Sequence, residues 1–244
     1  MKRLLIKIKY DGTAYHGYQV QDNALTVQEV FQNAVEKVFQ KRLDVIGCSR
    51  TDSGVHANMY CLCLDTDMNI SNEGVILALN TYLPNDIAFF DCPEVPQDFH
   101  PRYNCKSKEY IYVIFNGKYR NPFYDRYAYW YRYDLDEKYL DREAKAYVGK
   151  YDYSGFCSSK SDVEDTVREI YSFDVWREGD LVFFKVSGDG FLYNMVRIMV
   201  GTLLFVSQGK IKENELKSVI DSKDRKRAGR TAPPQGLYLN KIVY

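Results

Sequence analysis

Between Gly47 and Ala57 the chain reads Gly47-Cys48-Ser49-Arg50-Thr51-Asp52-Ser53-Gly54-Val55-His56-Ala57, which crowds a cation, a carboxylate, hydroxyls, a thiol and two glycines into eleven residues. Strand-like stretches flank it, and loops held by rigid strands are where sites are usually built. Arg50 and Asp52 stand two apart, so in extended chain they point to the same side. One reading of such a pair is a functional site built on those strands. The other is structural, a polar turn in which Asp52 pairs with Arg50 or caps a backbone amide.

A second constellation is Phe191-Leu-Tyr-Asn-Met-Val-Arg-Ile-Met-Val-Gly-Thr-Leu-Leu-Phe-Val206, whose one formal charge is Arg197. A helix apolar nearly all round is buried, and a guanidinium cannot shed its proton. Arg197 therefore either reaches a surface along its own stem or meets a carboxylate brought by another segment. Tyr110 opens the strand-like run Lys108–Phe115 and could stack, move a proton or simply fill the core. Lys223-Asp-Arg-Lys-Arg-Ala-Gly-Arg230 carries five positive charges and one negative, which suits a solvated surface or a phosphate contact. Cys61 and Cys63 share a strand face but have no second Cys/His pair nearby, which reads as buried strand cysteines rather than zinc ligands.

Composition narrows the classes. The 33 basic and 33 acidic residues cancel, so a uniformly basic nucleic-acid coat is excluded while a local basic cleft is not. Only three histidines, 16, 56 and 100, leave little room for a His-based zinc site or a Ser-His-Asp triad. Tyrosine is abundant, at 22, yet tyrosines more often build walls and rims than base-stacking platforms. No apolar run reaches the ~18–20 residues of a membrane span, and lysines interrupt the N-terminus too early for a signal peptide. Six cysteines without a CxxC pattern then imply free thiols in a reducing cytoplasm.

The elements that must hold these residues follow from periodicity. Residues 4–10 alternate as a strand, and Thr26-Val-Gln-Glu29 is a capping box opening a helix with Val27, Val30, Phe31, Ala34, Val35, Val38 and Phe39 on one face. Strands are expected at 43–46, 59–64, 87–90 and 108–115, with a short helix at 75–79. Later come a helix over 135–148, a hairpin of 167–176 with 181–187 turning at Glu178-Gly179-Asp180, and helices over 193–206 and 213–220. A last strand is expected at 236–243. The hairpin points to an α+β fold with a largely antiparallel sheet.

The segment Arg50-Thr51-Asp52-Ser53-Gly54-Val55-His56-Ala57 closely resembles the catalytic loop of the TruA family of tRNA pseudouridine synthases. Tyr10-Asp-Gly-Thr-Ala-Tyr-His-Gly-Tyr-Gln19 resembles the family's first-strand motif, and Phe99-His-Pro-Arg-Tyr103 with Lys108-Glu-Tyr-Ile-Tyr112 its central motif. Tyr153-Ser-Gly-Phe156, Gly188-Asp-Gly-Phe-Leu-Tyr-Asn-Met-Val-Arg197 and Ala232-Pro-Pro-Gln-Gly-Leu-Tyr-Leu239 resemble its C-terminal blocks. The resemblance implies two ferredoxin-like halves, 1–104 and 105–244, sharing a mixed sheet with a basic cleft between them, usually in a homodimer. It implies isomerisation of uridine to pseudouridine at positions 38, 39 and 40 of the tRNA anticodon stem-loop, with no cofactor and no metal. Carried over by position, Asp52 is the nucleophile, Arg50 its loop neighbour, Tyr110 a stacking and proton-transfer group, and Arg197 the partner of Asp52. A guanidinium nitrogen within roughly 4 Å of an Asp52 carboxylate oxygen is then expected. Lys106, Lys108, Arg225 and Arg227 are the candidate phosphate contacts. One departure is visible: Cys48-Ser49 precedes Arg50 where the family commonly carries Ala-Gly or Ser-Gly.

The chemistry agrees with such a set. The N1–C1′ bond must break and a C5–C1′ bond form, which calls for a carboxylate nucleophile, a cation beside it and a base for the C5 proton. The target base must also leave its stack, at a cost of a few kcal/mol. A glycosidase would need two carboxylates flanking one bond, and this loop offers one. A non-catalytic RNA-binding module gains nothing from a carboxylate among phosphates. A synthase with narrower tRNA targets would share every motif.

Overall fold

A computed structural model describes residues 1–158 and 164–244. Along the chain run β1 (Lys2–Tyr10), α1 (Val27–Phe39), β2 (Ile46–Gly47), β3 (His56–Thr66), α2 (Asn72–Tyr82), β4 (Ile87–Asp91), β5 (Glu94–Val95), β6 (Ser107–Phe115), β7 (Tyr129–Trp130), α3 (Glu137–Ala144), β8 (Gly149–Asp152), β9 (Val167–Glu178), β10 (Leu181–Gly188), α4 (Met195–Ser207), α5 (Leu216–Asp221) and β11 (Leu237–Val243). They fall into two compact units, Met1–Lys106 with Tyr238–Tyr244, and Ser107–Leu237. The division expected from sequence, 1–104 and 105–244, kept the last strand with the C-terminal half; here Tyr238–Tyr244 belongs to the first unit. Its backbone explains this, since β11 runs parallel to β3, Tyr238 opposite His56 and Leu239 opposite Ala57.

In the first unit β1 pairs antiparallel with β3 on one edge and β4 on the other. Leu4, Ile6 and Ile8 are fully buried. Arg3 lies opposite Asp65 and grips it with two bonds, Nε to Oδ1 at 2.8 Å and Nη2 to Oδ2 at 2.6 Å. That pair fixes the register and holds the Asp65 carboxyl below its ordinary range. α1 begins where its capping residue requires, with Thr26 Oγ1 accepting the Glu29 amide at 3.3 Å. It buries Val27, Phe31, Ala34, Val35 and Phe39 and stops at Gln40, whose φ of 55° leaves the helical region. The strand expected at 43–46 shrinks to Ile46–Gly47, because only those two residues meet a partner, Cys63 and Leu62 of β3.

In the second unit the order is β8-β9-β10-β6, all antiparallel, with β7 added parallel to β6. The expected hairpin is present, closed by Gly179 and Asp180 alone, because Leu181 already pairs with Glu178 and Gly179 takes φ 58°. The helix expected over 135–148 is shorter. Asp136 caps it at the Tyr139 amide (2.9 Å), and after Ala144 it tightens into a single 3-10 turn before Gly149 at φ 126°. α4 likewise starts at Met195, because Asn194 just before it sits at φ 62°. The protein is thus α+β with antiparallel pairing predominant. Among the described residues no helix is long and apolar enough to cross a membrane.

Candidate active site

The Asp52 loop hangs between β2 and β3. Thr51 is buried while Arg50 beside it is exposed and Asp52 half-buried, the alternation of extended chain. Three stretches of the first-strand motif hold it. The Tyr10 hydroxyl shares a 2.8 Å hydrogen bond with Thr51 Oγ1, the Tyr18 amide donates to Thr51 O (3.2 Å), and the Gly54 amide donates to Tyr15 O (3.2 Å). The approach is tight enough to require glycine. A Cβ on Gly12 would lie 2.0 Å from Val55 O, and one on Gly17, already at φ 89°, would lie 2.6 Å from Thr51 O. Below the loop, His56 Nδ1 accepts the Gly12 amide proton at 3.0 Å, and its ring stacks on Tyr238 at 4.7 Å.

The departure at Cys48-Ser49 is accommodated without strain. Cys48 is fully buried with its amide on Cys61 O (2.9 Å), and Ser49 is absent from the residues with positive φ. A glycine at 49 is therefore not demanded by the backbone.

Tyr110 and Arg197 lie in the second unit. Tyr110 sits on β6 opposite Val186, mostly buried, with the Phe191 ring edge-on at 5.1 Å. Arg197 is half-buried on α4, a helix whose other residues around it, Val196, Ile198, Met199 and Val200, are buried. Its Nε donates to Ala232 O (2.7 Å) and its Nη1 to Asn194 Oδ1 (2.8 Å), while the Ala232 amide returns to Arg197 O (3.1 Å). The segment carrying Ala232 packs backbone to backbone against α4, with the Gly229 amide on Thr202 Oγ1 at 2.8 Å.

The basic candidates differ in what they do. Lys106 is exposed and Lys108 half-buried. Arg227 is exposed, with Nη1 and Nη2 toward Ser218 O and Oγ at 3.3 and 3.2 Å. Arg225 is half-buried, and burial lowers its pKa; its guanidinium braces its own loop through Gly229 O (2.7 Å) and Thr231 Oγ1 (3.2 Å). Cys61 and Cys63 are buried free thiols, pushed up by burial to about 11 and about 12 respectively. No group of three His, Cys, Asp or Glu side chains among the described residues could hold a metal ion. Tyr10 and Tyr60, both in contact with the loop, were invisible as loop partners in the sequence, where nothing separates them from the many other tyrosines.

Comparison with known proteins extends this over the whole chain. Residues 6–104 and 144–244 match the family described as tRNA pseudouridine synthase. The chain is 44% identical over 244 residues to tRNA pseudouridine synthase A of Thermoanaerobacter sp. (strain X514), covering all of both chains. It is 43% identical over 244 residues, again covering all of both, to the protein of that name from Clostridium acetobutylicum. A weaker likeness, TM-score 0.38 at 11% identity over 80% of this chain and 52% of the other, is to a chain of a Cbf5-Nop10-Gar1 complex. With family matches at both ends and full-length identity above two fifths, the chain belongs to the tRNA pseudouridine synthase family.

Proposed function

We propose that the chain isomerises uridine to pseudouridine at positions 38, 39 and 40 of the tRNA anticodon stem-loop, with Asp52 as nucleophile and without cofactor. The observation that carries this is the Arg50-Thr51-Asp52 loop, held on strand ends by the first-strand motif in a chain similar to tRNA pseudouridine synthases A from end to end. The Asp52 carboxylate attacks the substrate nucleoside, and the N1–C1′ bond breaks. The uracil turns and joins C1′ through C5, the bond between the substrate and Asp52 breaks and frees the carboxylate, the C5 proton leaves to a base, and N1 gains a proton, with no change of oxidation state. Tyr110 stacks on the flipped base and takes part in the proton transfer. Arg197 keeps Asp52 ionised as the RNA displaces water, with Arg50 as loop neighbour. The enzyme acts in the cytoplasm as a homodimer, which light scattering of the purified protein checks. Mapping pseudouridine in tRNA from a strain lacking the gene tests the whole reading. Loss at 38–40, restored by the gene, is expected; unchanged tRNA would overturn it.

Arg197→Met is expected to lower kcat by about 100-fold or more, with a stability loss of only about 1–3 kcal/mol from the bonds to Ala232 O and Asn194 Oδ1 that the side chain no longer makes. Losing a neighbouring cation raises a carboxylate pKa, so the acid limb of the rate profile moves to higher pH. Arg197→Lys restores little, because an ammonium lacks the planar fork. Wild-type rates in Arg197→Met would remove Arg197 from the reaction.

tRNA affinity is expected to fall log-linearly with salt despite zero net charge. Neutralising Lys106, Lys108 or Arg227 flattens the slope by about one unit each; Arg225, occupied with its own loop, contributes less. A salt-independent affinity measured by filter binding contradicts this. Prolonged EDTA treatment is expected to leave turnover unchanged on tRNA that stays folded; activity restored only by a metal added to the enzyme contradicts it.

A further inference from the structure

Three buried tyrosines beneath the Asp52 loop have no place in the reaction above. Tyr60 on β3 is fully buried, Tyr18 and Tyr10 nearly so. Tyr18 stacks on Tyr60 at 4.2 Å and 25°, and Tyr10 tilts against it at 6.0 Å. A packing role alone would be met by phenylalanine. Two of the hydroxyls, however, end on the loop: Tyr60 donates to Ser49 O at 2.5 Å, and Tyr10 meets Thr51 Oγ1 at 2.8 Å. These anchor points lie on either side of Arg50, and the second, Thr51, directly precedes Asp52. Gly54, bonded to Tyr15 O, closes the bracket on the far side.

The sequence makes room for this grip. A Cβ on Gly47 would lie 2.3 Å from the Tyr60 hydroxyl and 2.7 Å from Tyr18 Cε1, so the glycine that ends β2 just before the loop is what admits the two rings. Burial raises the Tyr60 pKa well above its ordinary value, so that hydroxyl remains a donor across the working pH range.

We infer that Tyr60 and Tyr10 are positioning residues for the reaction, acting through the Ser49 carbonyl and the Thr51 hydroxyl to fix the backbone that aims Asp52. The inference rests on Asp52 being the nucleophile. A carboxylate carried by a loop is productive only while the loop holds it near attack geometry, and a displacement of about 1 Å can cost about 100-fold in rate. Hydroxyls projecting from two paired strands supply that rigidity from regular structure rather than from the loop itself.

The test keeps ring volume and removes only the hydroxyls. Tyr60→Phe is expected to lower the single-turnover rate by between about 10- and 100-fold with tRNA Kd within about two-fold of wild type. Tyr10→Phe has a smaller effect, and Thr51→Val reproduces it. In a double-mutant cycle the pair Tyr10→Phe/Thr51→Val is no worse than either single change, as two ends of one bond require. Should Tyr60→Phe fail to fold, the Tyr10–Thr51 cycle decides alone. Rates equal to wild type in these variants overturn the inference, as does a loss confined to Tm or matched by an equal loss of tRNA affinity. Asp52→Asn run alongside separates the two failures. If it is inactive while Tyr60→Phe and Tyr10→Phe are wild type, positioning falls alone; if it is active, the nucleophile assignment falls.

Discussion

Asp52→Asn is expected to abolish pseudouridine formation while leaving the protein folded and able to bind tRNA. The amide matches the carboxylate in size but lacks the negative charge and the nucleophilicity, and loss of a covalent nucleophile costs on the order of 10⁴-fold or more in kcat. Asp52 is half-buried at a loop tip, and the bonds that hold the loop run through its neighbours, Ser49, Thr51 and Gly54. Asp52 O also accepts the Val55 amide at 3.2 Å, and that backbone bond survives the substitution. Single-turnover assays beside filter binding check both halves of the expectation. A variant within ten-fold of the wild-type rate contradicts it.

The second large effect is expected at a glycine in a helix. Replacing a helical glycine by alanine ordinarily stabilises by about 0.4–1 kcal/mol. At Gly201 the sign reverses. A Cβ there would stand 1.7 Å from the Arg230 carbonyl oxygen, a backbone atom that cannot swing aside, so α4 and the 229–232 segment must part. That parting strains or breaks the Gly229–Thr202 bond and both links between Ala232 and Arg197. Overpacking and the lost buried bonds together cost about 3 kcal/mol or more, which for a chain of this size lowers Tm by roughly 6–12 °C. On the role proposed for Arg197 activity falls too, because Ala232 O and Asn194 Oδ1 together hold its guanidinium. Gly190→Ala, where a Cβ would meet Arg168 Nε at 3.4 Å and Cδ at 3.5 Å, serves as the comparison and is expected to change Tm little. Thermal unfolding of both variants decides; an unchanged Tm for Gly201→Ala contradicts the close packing.

What could be read in the sequence was local. The Thr26 cap, the β1 strand and the Gly179 turn each contain their own cause within a few residues and each is present, though Leu5 is buried along with Leu4 and Ile6 instead of alternating with them. Boundaries failed where the cause lies elsewhere. The segment 43–45 has strand composition but no neighbouring strand, so only Ile46 and Gly47 pair. Short β7 and β8 carry no pattern of their own and exist because β6 and β9 offer edges. The last strand was legible as a strand, but not its parallel pairing to β3, which assigns Tyr238–Tyr244 to the first unit. At the site, Arg50, Thr51 and Asp52 stood out because cation, hydroxyl and carboxylate are adjacent. The tyrosine hydroxyls that grip the loop did not, since Tyr10 is 41 residues from its partner Thr51 and resembles any core tyrosine. Arg225 shows the converse. It was legible as one charge in a basic run, whereas its role in bracing Gly229 and Thr231 depends on how the loop folds back on itself.

The central claim is that Asp52 drives uridine isomerisation in the anticodon stem-loop. It is tested most directly by incubating the purified protein with unmodified tRNA transcripts carrying uridine at 38, 39 or 40 and mapping pseudouridine by mass spectrometry. Conversion is expected at those positions and nowhere else in the transcript, by wild type and not by Asp52→Asn. Pseudouridine at other positions, no conversion at all, or conversion by Asp52→Asn would contradict it.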